Sequence, residues 1–175
     1  MSQSFRLENI GLINRNKKLS FKFNGKTYFG YEGDTLASAL IANGVHLIGR
    51  SFKYHRPRGI LSAGVEESGA LVTVGIGEYR DPNVRATTQE LYEGLNASGQ
   101  NAFPNVNFDL GYINNYLGRF FSAGFYYKTF MGIPPFEWGK GTGTWMIFEK
   151  LIRKAAGMGS ASKLPDPDHY EHGND

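Results

Sequence analysis

The chain has 175 residues, 41% of them hydrophobic and 14% aromatic, which is enough for a packed core and argues against disorder over most of the length. Its 19 Lys+Arg against 16 Asp+Glu leave a net charge of +3, too slight an excess to imply a nucleic-acid partner by itself. The absence of cysteine excludes disulfides, thiolate-held metals and a cysteine nucleophile. In chain order, MSQSFRLENIGLINRNKK lacks the apolar centre of a secretory leader, and no later apolar run reaches the ~18 residues of a membrane span, so a cytoplasmic protein without a membrane partner is expected. Residues 19–23, LSFKF, alternate apolar and polar. Asn24-Gly25 follows as a type I′ hairpin turn, and 27–31, TYFGY, supply the return strand. In GDTLASALIANG either Asp34 or Thr35 caps a helix whose apolar face carries Leu36, Ala39 and Leu40, widened by Ala37 and Ile41, with Gly44 as the left-handed residue after its end. VHLIG (45–49) predicts a short strand, with His46 at the edge of the core. LVTVGI (71–76) and NVRAT (83–87) predict two more strands, the second being the last.

A hairpin, one packed helix and returning strands describe an α+β domain of the β-grasp type over 19–88, preceded by an N-terminal arm, 1–18. After residue 88 the character changes. DLGYINNYLGRFF (109–121) aligns Leu110, Ile113, Leu117, Phe120 and Phe121 on one helical face. The aromatic FFSAGFYYKTFMGIPPFEW exceeds what a small domain can bury and predicts a docking surface. TWMIFEKLIRKAAG (144–157) is amphipathic, with Trp145, Phe148, Leu151, Ile152, Ala155 and Ala156 sharing a face. Residues 89–160 thus form a helical and irregular extension, and 161–175 a polar linker. His169 and His172 lie in that linker, where a metal site is not expected. GKGTGTW (139–145) follows no strand pattern and is not a dinucleotide site.

Two stretches carry the functional reading. GRSFKYHRPRG (49–59) interleaves Arg50, Lys53, His55, Arg56 and Arg58 with Phe52 and Tyr54, a pattern suited to anionic groups or to an acidic protein face. In GILSAGVEESGALVTV (59–74), Ser62, Glu67 and Ala70 have the C-x4-C-x2-C spacing of plant-type [2Fe–2S] ferredoxins, and Thr87 is the natural fourth position. Iron in such clusters needs anionic sulfur. Ala70 has no ligand atom, Ser62 and Thr87 have neutral hydroxyls, and Glu67 has a hard carboxylate, so the spacing is that of a cluster loop and the chemistry is not.

GDTLASALIANGVHLIGRSFKYHRPRGILSAG, NAFPNVNFDLGYINNYLGRFFSAGFYYKTFM and IRKAAGMGSASKLPDPDHYEH closely resemble the N-terminal region of the alpha subunits of heterotetrameric sarcosine oxidases, over roughly residues 19–172. Those subunits also lack the cysteines, whereas some related amine- and opine-oxidising flavoenzymes keep them. The resemblance implies a ferredoxin-like domain without a cluster, followed in the full subunit by an NAD-holding dinucleotide-binding domain. It also implies beta, gamma and delta partner subunits, and FAD, FMN and tetrahydrofolate in the complex, which oxidises CH–NH donors. It places no catalytic residue, metal or cofactor in this chain and makes Arg50, Lys53, Tyr54, His55, Arg56 and Arg58 candidates for an inter-domain or inter-subunit contact. The alternative is a free-standing β-grasp module that binds an acidic partner or single-stranded nucleic acid.

Overall fold

In the computed structural model, residues 3–120 together with 149, 150 and 153 are described. Strand β1 (Asn14–Phe23) turns through Asn24 and Gly25 into the antiparallel strand β2 (Lys26–Glu32), with Phe23 opposite Lys26. Both turn residues have positive φ, 50° and 78°, as the type I′ turn requires. The alternation in β1 sends Leu19, Phe21 and Phe23 into the core. The strand starts at Asn14, so the last residues of the expected arm belong to the sheet. Among the described residues of the arm, Arg6 donates through its guanidinium to both carboxylate oxygens of buried Asp34, at 3.1 and 2.7 Å.

Helix α1 (Leu36–Ala42) is capped by Thr35 rather than Asp34, in a reciprocal box with Ser38. Two more of its free N–H groups are taken by main-chain carbonyls, Leu36 N by Gln89 and Ala37 N by Ala86. Asn43 caps the other end, and Gly44 follows at φ 74°. Leu36 and Leu40 are fully buried, each contributing about 1.5–3 kcal/mol. The close approach of helix to sheet depends on Gly30, where a Cβ would stand 3.1 Å from that of Ala39.

Strands β3 (Gly49–Arg50) and β4 (Pro57–Arg58) pair as a small separate hairpin. Strands β5 (Leu71–Val74), β6 (Asp81–Arg85) and β7 (Asn96–Gly99) complete a five-stranded sheet of order β2-β1-β7-β5-β6. β7 runs parallel to β1 and antiparallel to β5. This is the expected ferredoxin-like α+β architecture, with four differences in detail. Of the expected strand at 45–49 only Gly49 pairs, and exposed His46 packs edge-on against Phe5, ring centroids 5.1 Å apart. β6 starts at Asp81, before the expected Asn83, and ends before Ala86 and Thr87, which lie in a turn. The strand NASG at 96–99 was not anticipated. It lies at the centre of the sheet, so the boundary expected after residue 88 falls inside one folded unit. The helix expected at 109–121 is broken into a 3-10 turn at Leu110–Tyr112, helix α2 (Ile113–Tyr116) and a second 3-10 turn at Leu117–Phe120. Gly111 and Gly118 weaken the continuous helix, and Leu110, Ile113 and Leu117 are exposed rather than joined in a buried face.

Residues 149, 150 and 153 are helical, and Arg153 Nε donates to Glu149 at 2.7 Å. The aromatic block beyond Phe120, the rest of the expected helix at 144–157, the glycine run at 139–145 and the linker with His169 and His172 lie outside the described residues. Among the described residues no helix is long and apolar enough to cross a membrane.

Candidate functional site: a cluster loop and a basic hairpin

The loop from Gly59 to Ala70 joins β4 to β5 and wraps around one side chain. The carboxylate of Glu67 points into the loop and is only 2% exposed. Its Oε2 accepts N–H bonds from Leu61 at 2.7 Å and Ser62 at 2.8 Å, and its Oε1 from Gly69 at 2.5 Å and Ala70 at 3.0 Å. The Ser62 hydroxyl adds a longer contact at 3.4 Å. Burial works to raise the carboxyl pKa, but the N–H groups of Ser62, Leu61, Gly69 and Ala70 outweigh it and hold the pKa down at about 2. Small residues make this wrapping possible. A Cβ on Gly69 would stand 2.5 Å from the Gly59 carbonyl oxygen, and one on Gly59 2.7 Å from that of His46.

The four positions with cluster-ligand spacing do converge on this loop. Ser62 and Ala70 meet at the Glu67 carboxylate, while the Thr87 hydroxyl donates to the Gly64 carbonyl at 2.7 Å. Ala86 N bonds to the Ala70 carbonyl at 3.0 Å, so the 86–89 turn links the loop to the first turn of α1. The donor set does not fit a [2Fe–2S] cluster. It offers no thiolate, Ala70 carries no ligand atom, the Thr87 hydroxyl is occupied, and the Glu67 carboxylate is saturated by main-chain donors. Among the described residues no group of three or more His, Cys, Asp or Glu could hold a metal ion.

The basic stretch forms the β3–β4 hairpin, and it divides in two. Arg50 turns inward. Its Nε and Nη2 both donate to the Val106 carbonyl, at 3.0 and 2.9 Å, Nη1 donates to the His55 carbonyl at 3.1 Å, and the guanidinium lies 5.4 Å from the Tyr112 ring centroid. His55, at φ 53°, bonds through Nδ1 to Asp109 Oδ2 at 2.7 Å, while Asp109 Oδ1 accepts from Phe103 N and Gly111 N, both at 3.0 Å. Burial opposes the charged form of Asp109, but these donors, led by Phe103 N, leave its pKa below the usual value. The His55 ring lies against Gly111, where a Cβ would come 2.2 Å from it.

Arg56 donates to Asn115 Oδ1 at 2.8 Å and lies 4.7 Å over the Tyr54 ring, while Lys53 Nζ stands 5.0 Å from the same ring. Arg58 is exposed on β4. The hairpin therefore grips residues 103–116 of its own chain, joining the two units that composition alone had separated. Asp109, Tyr112 and Asn115 are the partners that sequence reasoning missed. The one sequence signal pointing to them is the acid before a short turn at Asp109-Leu110-Gly111, which serves here as a side-chain cap, accepting from Gly111 N.

Residues 16–102 match the family model described as a 2Fe-2S iron-sulfur cluster binding domain. The chain is 58% identical over 168 residues, 96% of its own length, to the sarcosine oxidase subunit alpha of Rhizobium meliloti (strain 1021). It is 46% identical over 89 residues to that of Corynebacterium sp. (strain U-96). It spans 16% and 9% of the lengths of these two subunits. A crystal structure of L-proline dehydrogenase from P. horikoshii aligns with 50% of the chain and 16% of its own length, at 25% identity and a TM-score of 0.38, a score that bears on neither fold nor function.

Proposed function

We propose that this chain, whose residues 16–102 match the 2Fe-2S iron-sulfur cluster binding domain family, serves as a cluster-free, non-catalytic domain of a sarcosine oxidase alpha-like subunit. The observation that carries this reading is the 58% identity to such a subunit over 96% of the chain. In this proposal the parent complex oxidises the CH–NH bond of sarcosine with flavins, FAD and FMN, and passes the one-carbon unit to tetrahydrofolate. NAD is held by a dinucleotide-binding domain of the same subunit, and beta, gamma and delta subunits complete the cytoplasmic assembly. The work of this chain is structural. Its sheet and loop supply a rigid wall, and the exposed Arg56 and Arg58 of the hairpin, with half-buried Lys53 and Tyr54 beside them, contact a neighbouring domain or subunit. Arg50 and His55 are committed to bonds within the chain, and Arg56 shares in them through Asn115, which also narrows the basic strip that a single-stranded nucleic acid would need.

The test is to capture the native protein from its source with an antibody against this chain and to assay sarcosine-dependent oxygen uptake and flavin absorbance in the captured material. Both are expected, together with no oxidase activity from the 175-residue chain expressed alone. Captured material with neither flavin nor oxygen uptake refutes the proposal.

A further inference from the structure

The mismatch between a cluster-binding family and a loop that cannot ligate iron raises the question of what holds the loop closed. We propose that the N–H groups of Leu61, Ser62, Gly69 and Ala70 form a main-chain anion site whose resident ligand is the chain's own Glu67 carboxylate, and that the site takes a free small carboxylate, formate or acetate, when that side chain is removed. Three observations carry this. The donors come in pairs from the two arms of the loop, 61–62 and 69–70, and each pair takes one carboxylate oxygen at 2.5–3.0 Å. The negative charge is met by main-chain dipoles, since Glu67 forms no ion pair among the described residues. Converging backbone N–H groups are a general means of binding anions. Finally, the site is enclosed, Glu67 being 2% exposed and Ala70 fully buried. Removing the carboxylate leaves four inward donors without an acceptor, a cost the fold can relieve by opening the loop or by admitting another anion. The inference is independent of the proposed oxidase role, because it concerns only how this loop closes.

The experiment compares the 175-residue chain with its Glu67→Ala variant in thermal unfolding, in sodium formate or acetate and in sodium chloride at equal ionic strength. In chloride the variant is expected to melt roughly 10 °C below the parent. Formate is expected to restore part of that loss with a saturable concentration dependence, and to leave the parent unchanged. Equal responses of parent and variant to formate and chloride overturn the proposal. Should Glu67→Ala not fold, Glu67→Gln keeps the volume and replaces one acceptor oxygen with a donor. Amide hydrogen exchange at Leu61, Ser62, Gly69 and Ala70 is then expected to speed up at least about tenfold while that of Phe21 stays as in the parent. Unchanged exchange at the four amides overturns the proposal equally.

Discussion

The loop at 59–70 and the hairpin at 49–58 are neighbours in the chain, and each places a charged side chain against main-chain groups, but with opposite sign and opposite reach. Glu67 takes its four N–H partners from within six residues on either side. Arg50 reaches 56 positions along the chain to the Val106 carbonyl. The first arrangement closes a loop on itself; the second fastens two distant segments together. One can therefore be disturbed with local consequences, while the other fastens the β3–β4 hairpin to the 103–116 segment.

The largest effect that separates the two is expected from Arg50→Ala. It leaves the Val106 and His55 carbonyls without their donor and frees the 103–116 segment. Chemical denaturation should show a loss of about 3 kcal/mol, and proteolysis should begin in the 103–116 segment. Arg50→Lys should recover little, since an ammonium cannot copy the fork that meets Val106. If Arg50→Ala unfolds at the parental midpoint with no new cleavage in 103–116, the hairpin is not the fastening described.

A smaller effect belongs to the loop and appears with acid. The folded-state pKa of Glu67, about 2, lies below the ordinary value of 4.5, so its contribution is fully present above pH 4.5. As pH falls from 4.5 towards 2 the unfolded chain takes up the proton first, and stability on the order of 2 kcal/mol is lost. Asp109, also depressed, adds to the same acid loss. Stability measured by denaturant at pH 6, 4 and 3 should fall in that order for the parent, and less steeply for Glu67→Gln. Equal slopes for the two proteins would separate the carboxylate from the acid response.

The smallest effect is expected at Arg58, exposed on β4. Arg58→Ala should leave unfolding within about 0.5 kcal/mol of the parent. Within the proposed complex, the same change should weaken subunit association or lower flavin content. Unaltered assembly would restrict the role of the hairpin to its own chain.

What could be read from the sequence follows from how local its causes are. The Asn24-Gly25 turn, the alternation of β1 and the cap-to-glycine span of α1 each rest on a few adjacent residues, and all are present in the structure. The ligand spacing was likewise legible, and Ser62, Glu67, Ala70 and Thr87 do meet at one loop. What Glu67 does there was not legible, because its partners are main-chain N–H groups that carry no residue identity. Strand β7 was missed for a related reason. NASG contains no β-branched or aromatic residue, and only Ala97 among its four residues is buried, so its place at the centre of the sheet is decided by β1 and β5 on either side. Arg50 was legible as a contact residue, expected at a neighbouring domain or subunit. Its true acceptors, carbonyls at 55 and 106, leave no trace in the side-chain pattern.

The position of β7 also bears on the order in which the protein can be made. Asn24 Oδ1 accepts from Gly99 N at 2.8 Å, across 75 positions, and β1 has its inner neighbour only once β7 has been synthesised. Until then a nascent chain emerging from the ribosome carries the β1–β2 hairpin and the β5–β6 pair with a gap between them, two unpaired strand edges facing each other. Completion of the sheet waits for the ribosome to move past residue 99 and clear it from the exit tunnel. A pause before that point leaves two sticky edges exposed, and any truncation at residue 88 makes that state permanent.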